Sequence, residues 1–241
     1  MAGDFKFEKG ASFGDWLHKE MREAVHFETE AWAIDRARRV EDRLQAGRPK
    51  AERLVVEIPW LDVATAFTAP GRYIYFSRRL YERCPTDDEV ALVVAHEIAH
   101  HDLGHIKIFA RWVDKIVRLP GATLFAFAFH AIERRLYGPE KECDADRYGL
   151  DMCLAAGYDA QRALELFDVL EQHALDMGDH DIVYGPDEES DDELDEDASW
   201  TTKAQIWAWQ RKRGYLPIRD RRQMLLKHLQ RNAPNRTKPS T

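Results

Sequence analysis

One segment near the middle of the chain constrains its folding more than any other. Residues 93–100 read Val-Val-Ala-His-Glu-Ile-Ala-His, which sets three polar side chains in an otherwise apolar run. Thr86 and Glu89 have the spacing of a capping box, so a helix is predicted to begin there. We expect this helix to run from residue 90 through at least 105. Because apolar residues surround the polar ones, it should lie in the core.

The two histidines and the glutamate of this run predict a metal site. Residues four apart share one face of a helix, so His96 and His100 can direct ring nitrogens at one ion. Zinc accepts imidazole and carboxylate ligands and leaves a position open for water. Glu97 lies about 100° around the helix from His96, where it can take a proton from that water. His-Glu-x-x-His also occurs by chance, but burying these groups is costly unless they bind something.

A third protein ligand is expected from a second helix, which is predicted to start at Pro139 and to reach Gly157. Glu142 and Asp146 have the i, i+4 spacing of one face of that helix. Glu142 is the candidate ligand, and Asp146 is the candidate acceptor for the free ring N–H of a ligand histidine. A solvated acidic face is the alternative interpretation, and the pair alone does not exclude it.

The remaining pattern predicts a mostly helical α+β domain with a small antiparallel sheet beside the metal-binding helix. An apolar stripe over residues 13–46 predicts one long amphipathic helix. Residues 53–58 and 73–77 are rich in β-branched and aromatic residues and predict strands, with a third strand between them. A further helix, capped by Asp159, is expected to end near Gly178.

The charge and the cysteine content limit which classes of partner and which cellular compartment we expect. The formal net charge is −8, but nine of the twelve residues 186–197 are acidic, which leaves 35 basic and 34 acidic residues elsewhere. A nearly neutral body gives no argument for a nucleic-acid partner. Three cysteines without a CxxC pair fit a reducing compartment. The N-terminus is polar, so no signal peptide is expected and the protein is predicted to be cytoplasmic.

One uncharged stretch of the sequence bears on whether the protein associates with a membrane. Residues 119–132 contain no charged side chain, but these 14 residues fall short of the ~20 apolar residues that a membrane-spanning helix needs. We expect a buried helix or hairpin here. Association with a membrane surface through this stretch is the alternative.

Several blocks of the sequence, in order, resemble the HtpX-like and CAAX-prenyl-protease-like zinc metallopeptidases, a branch of the gluzincins. Residues 65–71 read Thr-Ala-Phe-Thr-Ala-Pro-Gly, residues 88–105 contain His-Glu-Ile-Ala-His, and residues 142–159 contain Glu-Cys-Asp-Ala-Asp and Ala-Gly-Tyr-Asp. The order and spacing of these blocks are more specific than His-Glu-x-x-His alone. The resemblance implies that Glu142 is the third ligand and that Asp146 supports His96.

The same resemblance implies a zinc-dependent endopeptidase with one zinc ion per chain and Glu97 as the general base. Its partner would be a peptide or protein substrate. Residues in the segment before the metal-binding helix form the candidate substrate-binding edge, namely Thr65, Ala66, Phe67 and Thr68. The oligomeric state does not follow from the sequence.

Two departures from the family pattern keep other functions open. The family usually has Asn where this chain has Thr65, and a His-Pro pair where it has Leu216-Pro217. Arg222 follows that pair and is a candidate for oxyanion stabilisation. Because the histidine is absent, a catalytically weak metal-binding adaptor or chaperone-like protein is one alternative. A membrane-surface protease is another.

These expectations divide the chain into four regions. An amphipathic helical region (1–52) precedes a zinc metallopeptidase core (53–185). An acidic flexible loop (186–199) follows, and basic C-terminal helices that pack on the core complete the chain (200–241).

Overall fold

The computed structural model describes residues 13–68, 71–106, 122–185 and 216–232. Three short strands in this part of the chain are β1 (Val55–Glu57), β2 (Ala66–Thr68) and β3 (Tyr73–Phe76). The α-helices are α1 (Phe13–Ala24), α2 (Ala31–Leu44), α3 (Arg78–Tyr81), α4 (Asp87–Asp102), α5 (Ala122–Ala155), α6 (Ala160–Leu164), α7 (Leu166–Asp176), α8 (His180–Tyr184) and α9 (Ile218–Asn232). A 3₁₀ turn spans Lys50–Glu52. The predicted α+β class, mostly helical with a small sheet, is confirmed.

The sheet is mixed, whereas an antiparallel sheet was predicted. Its strand order is β1-β3-β2, with β2 antiparallel and β1 parallel to the central strand β3. The reason lies in the connection between β1 and β2, which reverses the chain before the β2–β3 hairpin forms. β3 therefore runs in the same direction as β1, and β2 becomes an edge strand of this sheet.

The amphipathic stripe of residues 13–46 forms two helices, so the prediction of one long helix was wrong. The chain leaves helical geometry between α1 and α2, where the Glu28 backbone N–H donates to the Ile58 carbonyl and the Trp60 N–H donates to His26. The buried Glu28 carboxylate also accepts from the Thr29 and Glu30 backbone N–H groups. These bonds to a distant segment replace the helical ones, which periodicity alone could not reveal.

Helix α4 is the centre of the core, and its start follows the prediction. Thr86 and Glu89 form the expected capping box. Apolar side chains on nearly all sides of the helix are buried against α2, the sheet, α6 and α7. The helix ends earlier than predicted, at Asp102. Gly104 there adopts φ 71°, and its N–H and that of His105 bond the carbonyls of His101 and His100 in a Schellman motif.

Helix α5 brings the second acidic segment against α4. It is interrupted at Gly138, whose φ of 72° and ψ of 166° are not helical, and Pro139 then starts the next helical stretch, as predicted. Gly149 lies directly against α4, because a Cβ at this position would be 2.9 Å from the His96 backbone nitrogen. The two helices therefore approach closely at the level of the histidines.

The chain after α5 turns back toward α4. Asp159 caps α6 by accepting from the Gln161 and Arg162 N–H groups, as predicted. The predicted single helix up to Gly178 is divided into α6 and α7. Among the described helices, none is long and apolar enough to cross a membrane. The acidic loop and residues 119–121 of the uncharged stretch lie outside the described residues.

Candidate metal centre

Three side chains from two helices meet at one point. His96 Nε2 and His100 Nε2 are 3.1 Å apart, and each lies 3.5 Å from a carboxylate oxygen of Glu142. The structure thus brings together the two histidines of α4 and the predicted third ligand of α5. In the part of the chain that is described, this is a cluster that could hold a metal ion.

The distances fit a zinc site. Ligand atoms at 2.0–2.1 Å from a tetrahedral zinc lie about 3.3 Å from one another. The two Nε2 atoms are 3.1 Å apart, and the carboxylate of Glu142 faces both rings, with Oε2 at 3.5 Å from His96 and Oε1 at 3.5 Å from His100. The donor set of two imidazoles and one carboxylate is also the set that catalytic zinc sites use.

The second ring nitrogen of each histidine, Nδ1, contacts another buried side chain. His96 Nδ1 lies 2.9 Å from Asp146 Oδ1, the carboxylate predicted to support it. His100 Nδ1 lies 3.0 Å from His105 Nδ1. Because each Nδ1 has its own contact, each Nε2 is the nitrogen that faces the common point. Such contacts fix ring orientation and tautomer in metal sites.

An arginine of helix α9 completes the arrangement. Arg221 Nε and Nη2 donate to the two carboxylate oxygens of Asp146, both at 2.7 Å. Its Nη2 also lies 3.9 Å from Glu142 Oε2. The bidentate geometry fixes the carboxylate more firmly than a single contact would. A chain of contacts therefore runs from α9 through α5 to His96.

The electrostatics of the cluster favour positive charge between the carboxylates. Burial disfavours a charged His96, but its bonds to Asp146 and Glu142 outweigh burial and raise its pKa to about 10. Burial, together with the neighbouring His96, lowers the pKa of His100 to about 3. Burial also opposes ionisation of Glu142, yet its histidine neighbours and Arg221 lower its pKa to about 2. The centre is thus an ionised carboxylate facing a buried position that attracts a cation.

A pocket of about 360 Å³ opens at the cluster. Its wall includes His96, His100, Glu142 and the buried Glu97. Glu97 therefore faces the same space as the three candidate ligands, as expected of a residue that acts on a water or substrate there.

Two of the four predicted substrate-binding residues reach this pocket. Thr65 and Ala66 line it, whereas Phe67 is buried and stacks on Tyr75 at a ring-centroid distance of 5.0 Å. The Thr68 hydroxyl contacts the Tyr73 carbonyl and the His101 ring. The side chains of Phe67 and Thr68 therefore contact other parts of the domain and do not line the pocket.

The structure does not bring Arg222 to the site, which corrects that assignment. Its side chain pairs with Asp168, at 2.9 Å between Nη1 and Oδ1, and both partners are substantially exposed. Arg221 lines the pocket instead. Successive residues of a helix point about 100° apart, so a shift of one position moves the guanidinium from the cluster to another face of α9.

The sequence interpretation missed two supporting residues. Arg221 is 75 positions from Asp146, and no local pattern connects them. His105 was assigned no role, because a helix that continued to residue 105 would place its ring well around the axis from His96 and His100. The helix ends three residues earlier, and the turn at Gly104 returns His105 to the His100 ring. The Leu-Gly-His run after a helix was the available signal, because Gly commonly marks such a turn.

The fold and the cluster define a mostly helical α+β domain with the ligand set of a catalytic zinc protein. A model of peptidase family M48 matches residues 29–137, just under half of the chain. Over these residues the chain is similar to this family of zinc metallopeptidases. No curated protein gives a significant match to the chain. The family match ends before Glu142, Asp146 and Arg221, so it does not itself cover these residues.

Proposed function

We propose that this protein is a zinc-dependent endopeptidase in which His96, His100 and Glu142 hold the metal and Glu97 is the general base. The observation that carries the proposal is that the two Nε2 atoms lie 3.1 Å apart and that each lies 3.5 Å from one of the two oxygens of the Glu142 carboxylate. Similarity to a metallopeptidase family over residues 29–137 supports hydrolysis of peptide bonds as the reaction.

When bound, zinc would polarise a substrate carbonyl and make a neighbouring water more acidic. Glu97 would take a proton from the attacking water and pass it to the leaving amine. Its burial in the pocket wall removes competing bulk water from this transfer. Asp146 and His105 would hold the rings of His96 and His100 in place, so that neither ring has to reorganise during the reaction.

The edge strand β2 offers a place for the substrate backbone. The Thr65 carbonyl accepts from the Ser77 N–H, so Thr65 directs its main-chain groups toward β3. Hydrogen-bonded positions alternate along an antiparallel pair, so the Ala66 N–H points toward the outer edge, on the pocket side. An extended peptide added at this edge would lie across the metal cluster, with Ala66 as its main-chain partner.

The test combines metal content with hydrolysis. The purified protein should contain about one zinc per chain and should cleave an unfolded protein such as casein, and a chelator should abolish cleavage. Glu97→Gln should retain zinc and lose cleavage by ~10²-fold or more, the usual contribution of a general base. Asp144→Asn is a matched control, because this exposed carboxylate of α5 pairs with Arg147 outside the cluster.

Two results would contradict the proposal. Undiminished cleavage by Glu97→Gln, in a preparation free of other proteases, would remove Glu97 from the mechanism. Zinc binding by the wild-type protein without any cleavage would favour the alternative of a metal-binding adaptor.

A further inference from the structure

Two tryptophans lie half exposed on one continuous surface of the domain. Trp32, in the first turn of α2, is 51% exposed, and Trp60, between β1 and β2, is 49% exposed. The Arg78 guanidinium lies 4.2 Å from the centre of the Trp60 ring, and its Nη2 is 4.0 Å from Glu30 Oε1. The Trp32 indole N–H donates to the same carboxylate. Arg78 and Glu30 therefore join the two rings into one patch.

The patch carries more negative than positive charge. Arg78 Nη1 lies 2.7 Å from Glu28 Oε2, and its Nε lies 2.6 Å from Glu82 Oε1. With Glu30, three carboxylates thus surround one guanidinium, which leaves an excess of two negative charges. In the described part of the chain, no other lysine or arginine forms an ion pair with any of the three. The tryptophan patch therefore consists of Glu28, Glu30, Trp32, Trp60, Arg78 and Glu82.

The tryptophan patch lies beside the pocket of the metal cluster. Val63, three residues after Trp60, lines the pocket and is 51% exposed. The start of α3 supplies Arg78 to the patch and Leu80 to the pocket. The same two segments therefore border both surfaces, and a substrate that leaves the pocket past Val63 would reach the patch.

A second exposed aromatic ring shows the same arrangement with balanced charges. Tyr184 is 50% exposed, and the Arg219 guanidinium lies 4.3 Å from its ring centre. Arg219 Nη2 lies 2.6 Å from the carboxylate of Glu171. An arginine stacked on an exposed ring thus needs only one carboxylate for balance, and the tryptophan patch has two more.

The composition of the patch favours a cationic partner. Arginine and lysine side chains bind the faces of tryptophan rings and pair with carboxylates. Two of the three carboxylates, Glu30 and Glu82, are about half exposed, so they can meet a further cation from solvent. Tryptophan is also among the residues that contribute most to binding at protein interfaces. A negatively charged partner would be repelled by the excess carboxylates.

We propose that the tryptophan patch is an exosite that binds an arginine- or lysine-rich segment of the substrate protein, outside the catalytic pocket. The identity of the partner as a substrate rests on the proposed peptidase function, whereas binding itself does not require hydrolysis. From Trp60 to Ala66, the main-chain partner proposed for the substrate, the chain advances six positions. This distance is at most about 20 Å in extended chain, so the basic segment would lie about six residues from the scissile bond.

Binding is tested first without hydrolysis. The zinc-loaded, full-length Glu97→Gln protein would be titrated in a calorimeter with a synthetic peptide in which arginine alternates with glycine and serine, and with its glutamate counterpart. Both peptides are capped, so that terminal charges do not contribute. The arginine peptide should bind at least ~10-fold more tightly than the glutamate peptide. Its affinity should fall as the salt concentration rises, because salt screens exposed charges.

Substitutions in the patch, and matched ones elsewhere, locate the binding. Trp32→Ala should weaken binding of the arginine peptide by ~30-fold, a typical loss for a tryptophan at the centre of an interface. Combined Glu30→Gln and Glu82→Gln should weaken it by about 5-fold or more, since each exposed charge pair contributes up to ~5-fold. Tyr184→Ala and Glu171→Gln are the controls and should leave the affinity within about twofold. All variants should keep the zinc content of the parent protein, which excludes general damage to the fold.

Cleavage by the wild-type protein then tests whether the partner is a substrate. Peptides would share one cleavable sequence and carry either an arginine cluster or glycine and serine, about six residues before or after the scissile bond. The cluster on one of these sides should lower KM by ~10-fold and leave kcat unchanged, because the contact is the same in the ground state and the transition state. The variant with Glu30→Gln and Glu82→Gln should lose this difference in KM.

The outcomes separate the exosite from the proposed function. Equal binding of the arginine and glutamate peptides would overturn the exosite, and so would arginine binding that none of the patch substitutions weakens. Binding at the patch without any change in KM would overturn the assignment of the partner as a substrate. Self-association of the protein that Trp32→Ala abolishes would do the same, since the partner would then be a second copy. Binding at the patch with no cleavage of any peptide would contradict the proposed function alone.

Discussion

The two sides of the metal cluster are built in different ways. On the α4 side, His96, Glu97 and His100 lie within eight residues of one another and belong to one helix that starts at a capping box. On the opposite side, Glu142 and Asp146 come from α5 and depend on Arg221, which is 75 residues from Asp146. Helix geometry alone arranges the first side, whereas the packing of three helices arranges the second.

The two sides also differ in the roles that they would have at a bound metal. The α4 side needs only its own helix to present two nitrogens on one face. The second side would supply the proposed third ligand, Glu142, and it also supplies the Asp146 contact to the His96 ring. The family match covers the first side and stops before the second.

Removing a ligand from either side gives the largest expected effect. His96→Ala and Glu142→Ala should each reduce bound zinc from about one per chain to near zero after dialysis, since three protein ligands are the minimum of a catalytic zinc site. Elemental analysis of the purified proteins measures this. The two sides should be equally necessary, although only one carries the recognisable motif.

Matched controls use a neighbouring residue of each side. His101→Ala removes a histidine of α4 whose ring contacts Thr68 and not the cluster. Asp144→Ala removes an exposed carboxylate of α5. Both should retain full zinc. Full zinc retention in Glu142→Ala would mean that the second side does not bind the metal, and the proposed ligand set would then be wrong.

The sequence could predict the first side almost completely. The capping box, the helix and the shared face of His96 and His100 are local properties, and periodicity reports them directly. Glu142 and Asp146 were named from their i, i+4 spacing, but this spacing also fits a solvated face, and the family resemblance was needed to choose between the two interpretations. The class of fold followed from the same local patterns.

Long-range contacts explain what the sequence could not predict. The break between α1 and α2 depends on main-chain bonds from Glu28 and Trp60 to residues about 30 positions away. The parallel pairing of β1 and β3 depends on how the intervening chain reverses. Choosing Arg222 instead of Arg221 was an error of one residue, but one residue rotates a helical side chain by about 100°. Sequence spacing does not fix that rotation relative to another helix.

Substitution of Arg221 gives the next largest expected effect on zinc affinity, and the adjacent Arg222 serves as its comparison. Arg221→Ala should weaken zinc affinity by ~10–100-fold, the usual result of losing a residue that supports a metal ligand. It should also destabilise the fold, because Asp146 would stay buried without its cation. Arg222→Ala should change zinc affinity by less than about threefold, since its pair with Asp168 is substantially exposed. Competition with a chelator of known affinity measures both constants.

Equal effects of the two arginine variants would contradict this account. Arg221→Lys gives a further check, because lysine retains the charge but cannot make the bidentate bond to Asp146. It should recover part of the stability lost in Arg221→Ala and little of the zinc affinity. Full recovery of affinity by lysine would mean that charge, and not the geometry of the pair, is what His96 requires.

The substitution with the smallest expected effect, Gly149→Ala, tests the contact between the two sides. Gly149 lies where α5 meets α4, and a Cβ there would be 2.9 Å from the His96 nitrogen and 3.1 Å from the Ala95 carbonyl carbon. These neighbours are backbone atoms, so they cannot move aside as a flexible side chain could. Gly149→Ala should therefore push the helices apart and reduce the free energy of unfolding by about 1–3 kcal/mol, the usual cost of overpacking.

Gly47→Ala is the matched control, because a Cβ at Gly47 meets no atom within 4 Å. Its free energy of unfolding should stay within about 0.5 kcal/mol of the wild type. Denaturant unfolding of the metal-free proteins measures stability, and chelator competition measures zinc affinity. Since the displaced backbone is that of His96 itself, Gly149→Ala should also weaken zinc binding, while Gly47→Ala should not. If Gly149→Ala loses stability but binds zinc as tightly as the wild type, the two sides of the cluster tolerate changes in their spacing. The close approach of α4 and α5 would then serve packing of the core alone.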